Sequence, residues 1–222
     1  MEDSFIEAIT KSFEAYNGFG ARSNKKLIPI HLWFAERIEK ELGEGYEISS
    51  LGKGREEIAI GKYYPKSLDI CVKFKNEIIS TISFKFVTSN YKQNANNYFE
   101  NLLGETANIR RANIGFAHFL LLRGHTPYYD KNKGNLRGVV KKIEIINDKD
   151  LSKYISLFKD TDFPHKPDVL GIEIIEIDKS GKPIKANLNE LGISKANIDF
   201  LEEQFVLDKF IKRFVALCKL KS

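Results

Sequence analysis

SLDICVKFKNEIISTISFKF, residues 67–86, reads as two apolar strands folded back on a short charged turn. Asp69 on the first strand, with Ser83 and Lys85 on the second, interrupts an otherwise buried pattern. A turn made of Lys75, Asn76 and Glu77 sets Phe74 opposite Ile78, and Asp69 then falls opposite Ser83. Lys85 follows two residues later on the same face, because strand side chains alternate. The three side chains would lie about 5–8 Å apart between Cβ atoms. The other face would carry Leu68, Ile70, Val72, Phe74, Ile78, Ile82 and Phe84 into the core. A slip of one residue would undo this grouping.

A carboxylate beside a lysine on a sheet face has two readings. One is a structural ion pair. The other is a site for metal-assisted phosphodiester hydrolysis, with Asp69 as an oxygen ligand for Mg²⁺. The Phe84 backbone carbonyl would be a further ligand, and Lys85 would stabilise or deprotonate the attacking water.

Around the hairpin the sequence alternates helices and strands. Residues 2–16 and the segment IPIHLWFAERIEKEL, residues 28–42, read as amphipathic helices separated by the Gly-rich NGFGARSNKK. One or two short strands are expected over 46–60, then the loop GKYYPK. A polar-to-amphipathic helix should span 89–111, with Ser89 or Asn90 as its cap. GFAHFLLL, residues 115–122, has the composition of a central strand, which makes His118 a core histidine. VVKKIEIIN and VLGIEIIEID are further strands, with a short helix near 150–159 between them. NIDFLEEQFVLDKFIKRFVALCKL is expected to be one long closing helix. The whole makes a single α/β domain over residues 1–222, a central mixed sheet flanked by helices.

Bases exceed acids by five in the chain, 35 against 30. The stretch 121–142 alone accounts for that surplus, with Arg123, Lys131, Lys133, Arg137, Lys141 and Lys142 against Asp130. Lys131, Lys133 and Arg137 suit a loop that contacts phosphates, and a solvated loop is the alternative. Asn90, Lys92, Asn94, Asn97, Arg110 and Arg111 make the 89–111 helix rich in groups that can read base edges. Cys71 and Cys218 lie far apart in apolar stretches and are expected to be buried free thiols. No apolar run approaches the roughly 18 residues of a membrane span. The acidic, amphipathic N-terminus is unlike a signal peptide, so a cytoplasmic location is expected. Pro167-Asp168 opens a later strand and lacks a following acid-x-Lys, and GKGREE lacks the length of a P-loop.

An aspartate on one strand, with x-Lys on the next, resembles the core of the PD-(D/E)xK nuclease superfamily of type II restriction endonucleases. The longer block GKYYPKSLDI…ISFKFVTSNYKQNANNYFENLLGETANIR is similar to one found in certain restriction enzymes, and the likeness covers about residues 31–125. Leu68 stands where the family has proline, and Ser83 where it has its second acid. Some members carry S-x-K here and draw a glutamate from the following helix. The resemblance therefore implies catalytic Asp69, Lys85, Ser83 and Glu100, with Glu105 as the other choice on that helix and Glu36 in support. It also implies a restriction-endonuclease-like fold and Mg²⁺-dependent, site-specific cleavage of double-stranded DNA by a prokaryotic homodimer. A repair or structure-specific nuclease of the same fold is one alternative. A catalytically inactive DNA-binding protein is the other, because Ser83 leaves the site one acid short.

Overall fold

The computed structural model describes residues 2–20, 23–129, 139–161 and 163–222. The chain begins with α1 (Asp3–Phe19), a 3₁₀ turn (Asn24–Lys26) and α2 (Ile28–Leu42). Five strands follow: β1 (Tyr46–Ser50), β2 (Glu57–Ile60), β3 (Pro65–Leu68), β4 (Ile70–Phe74) and β5 (Glu77–Phe86). Next come α3 (Tyr91–Arg110), β6 (Gly115–Arg123), β7 (His125–Tyr129), β8 (Val140–Ile145) and α4 (Asp148–Lys159). The chain closes with β9 (Val169–Ile177), β10 (Pro183–Lys185), α5 (Lys195–Gln204) and α6 (Leu207–Lys221).

Among the described residues six strands form one mixed sheet in the order β1-β4-β5-β6-β9-β10. The pairs β1–β4, β4–β5 and β9–β10 are antiparallel, while β5–β6 and β6–β9 are parallel. The parallel β5–β6 pair needs a crossover, and α3 supplies it. Helices cover both faces. Ala117, Phe119 and Leu121 of β6 pack with α1, α2 and α6 on one side, and Phe116, Leu120 and Leu122 pack with the α3–α5 side. Burial on both faces explains the unbroken apolar run in this strand. Phe119 anchors the first core, with ring centroids 5.1 Å from Phe34 and 4.9 Å from Phe210. Among the described residues no helix is long and apolar enough to cross a membrane.

The hairpin turn is shorter than the sequence reading. Lys75 and Asn76 take φ of 51° and 66°, the left-handed pair of a two-residue turn, so Phe74 pairs with Glu77 and Lys73 with Ile78. The register then shifts between Val72 and Lys73: Val72 pairs with Ser80, and Ile70 with Ile82. Ile79 is the extra residue of a bulge. The bulge restores, at the far end of the hairpin, the register that a three-residue turn would have given. It also reverses the faces near the tip. Ile79 joins the α1–α2–α6 core, while Ile78 packs on the α3 side, against the expectation for it. Leu68 is likewise on the α3 side, because it belongs to β3, which pairs with β2 in a separate two-stranded sheet.

Two further expectations are corrected. The closing helix is two helices, broken at Phe205 and Val206. The Phe205 carbonyl accepts from Ile172 N–H (3.1 Å), and the Leu207 N–H donates to the buried Glu173 carboxylate (3.0 Å), so both ends of the break are bound to β9. At the start of α3, Asn90 holds the cap position at φ 53° but makes no side-chain cap. Glu144 of β8 serves instead, accepting from Lys92 N–H at 2.9 Å.

The GKYYPK loop is held from α3 by Asn108, whose side chain is fully buried. Its amide oxygen accepts from Tyr63 N–H (2.8 Å) and Tyr64 N–H (3.3 Å), and its amide nitrogen donates to the Tyr64 carbonyl (3.0 Å). Gly61 passes so close that a Cβ there would stand 2.2 Å from the Asn108 amide nitrogen.

Candidate active site

Asp69 stands at the bend where the chain leaves β3 and enters β4. Its Oδ2 accepts from the Phe84 N–H at 2.7 Å, a bond just beyond the last β4–β5 pair. In an antiparallel pair, the N–H and C=O of one residue project toward the same neighbour. The Phe84 carbonyl is therefore directed to the Asp69 side as well. Ser83 and Lys85 flank Phe84 and turn to the α3 face, while Phe84 itself enters the opposite core. Parallel pairing sets His118 beside Ser83, on that same α3 face.

α3 closes over this surface. Tyr98, Asn101, Leu102 and Glu105 line one cleft with Asp69, Ser83, Lys85 and His118. Their spacing of three, four and seven residues is that of a single helix face. Glu105 Oε2 accepts from the Ser83 hydroxyl at 3.1 Å, and Oε1 pairs with Lys66 Nζ at 2.7 Å. Lys85 Nζ lies 5.0 Å from the Tyr98 ring centroid, a cation–π distance. The cleft has a volume of about 340 Å³, and Lys26 enters it from the 3₁₀ turn.

Electrostatics set this cleft apart from an ordinary surface ion pair. Burial pushes the Asp69 carboxyl up to about 6, with the Phe84 N–H opposing the shift and the charges of Glu105 and Glu56 adding to it. Burial is the largest single influence on the Lys66 ammonium and lowers its pKa, but the hydrogen bond to Glu105 and the charges of Glu105 and Asp69 together leave it raised. Burial pushes His118 down to about 4, so its ring is neutral at pH 7. Its Nδ1 has no hydrogen-bond partner among the described residues.

Of the two α3 glutamates, Glu105 lines the cleft and Glu100, the one favoured from the sequence, does not. Glu100 is exposed. Five residues on a helix turn it roughly 140° from Glu105. Glu36 is also exposed, on α2, and does not line the cleft. Several of the expected DNA contacts make bonds within the fold. Asn90 Oδ1 accepts from Tyr129 N–H, tying β7 to the start of α3. Arg110 pairs with Asp168 at 2.7 Å and donates to the Lys166 carbonyl at 2.6 Å. Asn94 donates to the Asn90 carbonyl, and Lys92 reaches Asp150 at 3.6 Å. Asn97 and Arg111 are exposed on α3 and just after it, outside the cleft. Lys131, Lys133 and Arg137 lie outside the described residues. The sequence reading missed Lys26 and Lys66; His118 is buried as expected, and it also lines the cleft. The signal for His118 was present, since parallel pairing of the strands on either side of the 89–111 helix sets it next to Ser83.

Mg²⁺ uses oxygen donors, keeps several waters and needs only one or two protein carboxylates. Asp69 and Glu105, with the Phe84 carbonyl, are the oxygen donors that could hold such an ion here. Glu105 also raises the Asp69 pKa, so a cation between them would relieve their repulsion. Among the described residues no group of three or more His, Cys, Asp or Glu side chains is arranged to hold a metal unaided. No family model, curated protein or solved structure matches this chain.

Proposed function

We propose that this protein is a Mg²⁺-dependent endonuclease of the PD-(D/E)xK kind. Its substrate on this reading is double-stranded DNA cut at a specific sequence, and its setting a cytoplasmic restriction system of a prokaryote. A homodimer would match the two-fold symmetry of most such sites. One observation carries the reading: Asp69, Glu105 and Lys85, drawn from a strand bend, a helix and a second strand, meet in one open cleft.

Asp69, Glu105 and the Phe84 carbonyl would hold the metal. When bound, Mg²⁺ supplies positive charge against the phosphate and makes water more acidic. The remaining work falls to the chain. The Phe84 N–H fixes one Asp69 oxygen and leaves the other for ligation. Ser83 orients Glu105, which is the use of a serine where an acid is expected. Lys66 balances the Glu105 charge, and would release an oxygen of it on metal binding. Lys85 donates to the attacking water or to a non-bridging phosphate oxygen. Water loses a proton to solvent as its oxygen bonds to phosphorus, one ester P–O bond breaks, and the departing oxygen takes a proton from solvent to leave as a hydroxyl.

A supercoiled plasmid digested with and without Mg²⁺ tests the reading. Discrete bands support a site-specific enzyme, and nicking or a smear supports a repair or structure-specific nuclease. Retarded but intact DNA supports an inactive binding protein. Asp69→Asn, Lys85→Ala and Glu105→Gln should each remove cleavage, while Glu100→Gln should cut as the parent does. Normal cutting by Glu105→Gln would refute the assignment of the second carboxylate.

A further inference from the structure

The cleft contains a lysine that the two-strand motif does not account for. Lys26 sits on the 3₁₀ turn between α1 and α2, more than forty residues before Asp69. The turn is locally specified, with Ser23 Oγ accepting from the Lys25 N–H at 3.2 Å. Both adjacent lysines reach back to aromatic rings of α1, Lys26 Nζ standing 5.8 Å from the Tyr16 centroid. Lys25 Nζ stands 3.8 Å over the Phe19 ring. Lys26 is half-buried and lines the cleft with Lys85 and the two carboxylates.

We propose that Lys26 and Lys85 together form a phosphate-binding grip, with Lys26 acting as a second cationic residue on the group being hydrolysed. The inference deepens the nuclease reading and rests on it for the phosphodiester. Two like charges facing one small cleft repel, and a shared anion relieves that repulsion. Burial and the Lys85 charge both lower the Lys26 pKa, which agrees with two ammonium groups close enough to sense each other. Lys66 is the third cation here, but its ion pair with Glu105 commits it to the acidic side. Hydrolysis adds negative charge to the non-bridging oxygens of the phosphate. Lysines on those oxygens therefore gain more in the transition state than in the bound substrate.

The variants are Lys26→Met, Lys26→Gln and Lys26→Arg, each with a thermal melt to check folding. Supercoiled plasmid with Mg²⁺ is cut in single-turnover conditions, and binding of inorganic phosphate and of a deoxynucleoside 5′-monophosphate is measured by calorimetry. The Met and Gln variants should cut slower by roughly tenfold to a hundredfold, somewhat less than a well-placed oxyanion donor is worth. Lys26→Arg should recover part of the rate, which a purely structural role would not predict for a longer, planar side chain. If the parent cuts DNA and the Met and Gln variants stay within about twofold, the grip is overturned and the nuclease reading stands. If the parent cuts no DNA, the nuclease reading fails and calorimetry decides the grip. Phosphate or monophosphate binding weakened about tenfold or more by Lys26→Met would keep it, with a small phosphate as ligand, and equal or absent binding would overturn it.

Discussion

Asp69 holds its proton more tightly than an exposed aspartate, because burial and neighbouring acids both oppose its charge. An aspartate with an ordinary value of 3.8 and a folded value of about 6 binds more protons folded than unfolded between those limits. Stability should therefore fall as pH rises from about 4 to about 6 and remain lower above that. The expected outcome is that Asp69→Asn, without metal, melts higher than the parent at pH 8. The gain should be on the order of 2 kcal/mol and vanish near pH 4. Thermal melts at the two pH values measure it, and equal differences at both would refute the account. Such a gain is the usual signature of a charge kept for function. The Asp69–Ser83 adjacency was legible from strand alternation. The choice of Glu105 was not, because it depends on which face of α3 meets the sheet. Tyr98, Asn101 and Leu102 reveal that face only once the cleft is seen.

At the scale of elements, β3 delivers both Lys66 and the bend at Asp69, so whatever holds its loop also holds the site. Asn108 does so, through three side-chain bonds to the backbone of Tyr63 and Tyr64. Asn108→Ala would leave those groups unpaired, and stability should drop by about 1–3 kcal/mol. The amides of Tyr63 and Tyr64 should lose protection in hydrogen exchange while those of β6 keep theirs. Cleavage should fall with them, since Lys66 would no longer be fixed against Glu105. Unchanged exchange at the two tyrosines would refute this. The loop was legible over residues 61–64, though Pro65 and Lys66 already belong to β3, whereas its anchor was not, because Asn108 lies far along the chain. The broken closing helix has the same origin. Phe205 and Val206 continue the apolar pattern, and the bonds to Ile172 and Glu173 that interrupt it are tertiary.

For the whole molecule, the layers were readable from composition: a strand apolar on both faces must be central, and amphipathic helices must cover it. The small β2–β3 and β7–β8 sheets were less so, being set by pairings outside the main sheet. Charge is the global property that bears on DNA. If Lys131, Lys133 and Arg137 contact phosphates, changing all three to Gln should weaken specific and non-specific binding alike. The slope of log K against log salt should flatten by up to about 3. Binding titrations at several salt concentrations measure the slope, and an unaltered value would make these residues a solvated surface.

The bulge at Ile79 separates the tip of the hairpin from the end that carries Ser83 and Lys85, and the two thiols, Cys71 and Cys218, are both buried, each pushed up to about 12. Together these make the tip a natural attachment point for a spectroscopic probe. A thiol reagent at neutral pH finds almost no thiolate on the parent protein, since the thiolate is the reactive form. Glu77→Cys, at an exposed position beside the turn, should take up about one equivalent of maleimide dye with neither native cysteine replaced. Fluorescence energy transfer from that dye to an end-labelled duplex would then report approach of the DNA without altering Asp69, Ser83 or Lys85.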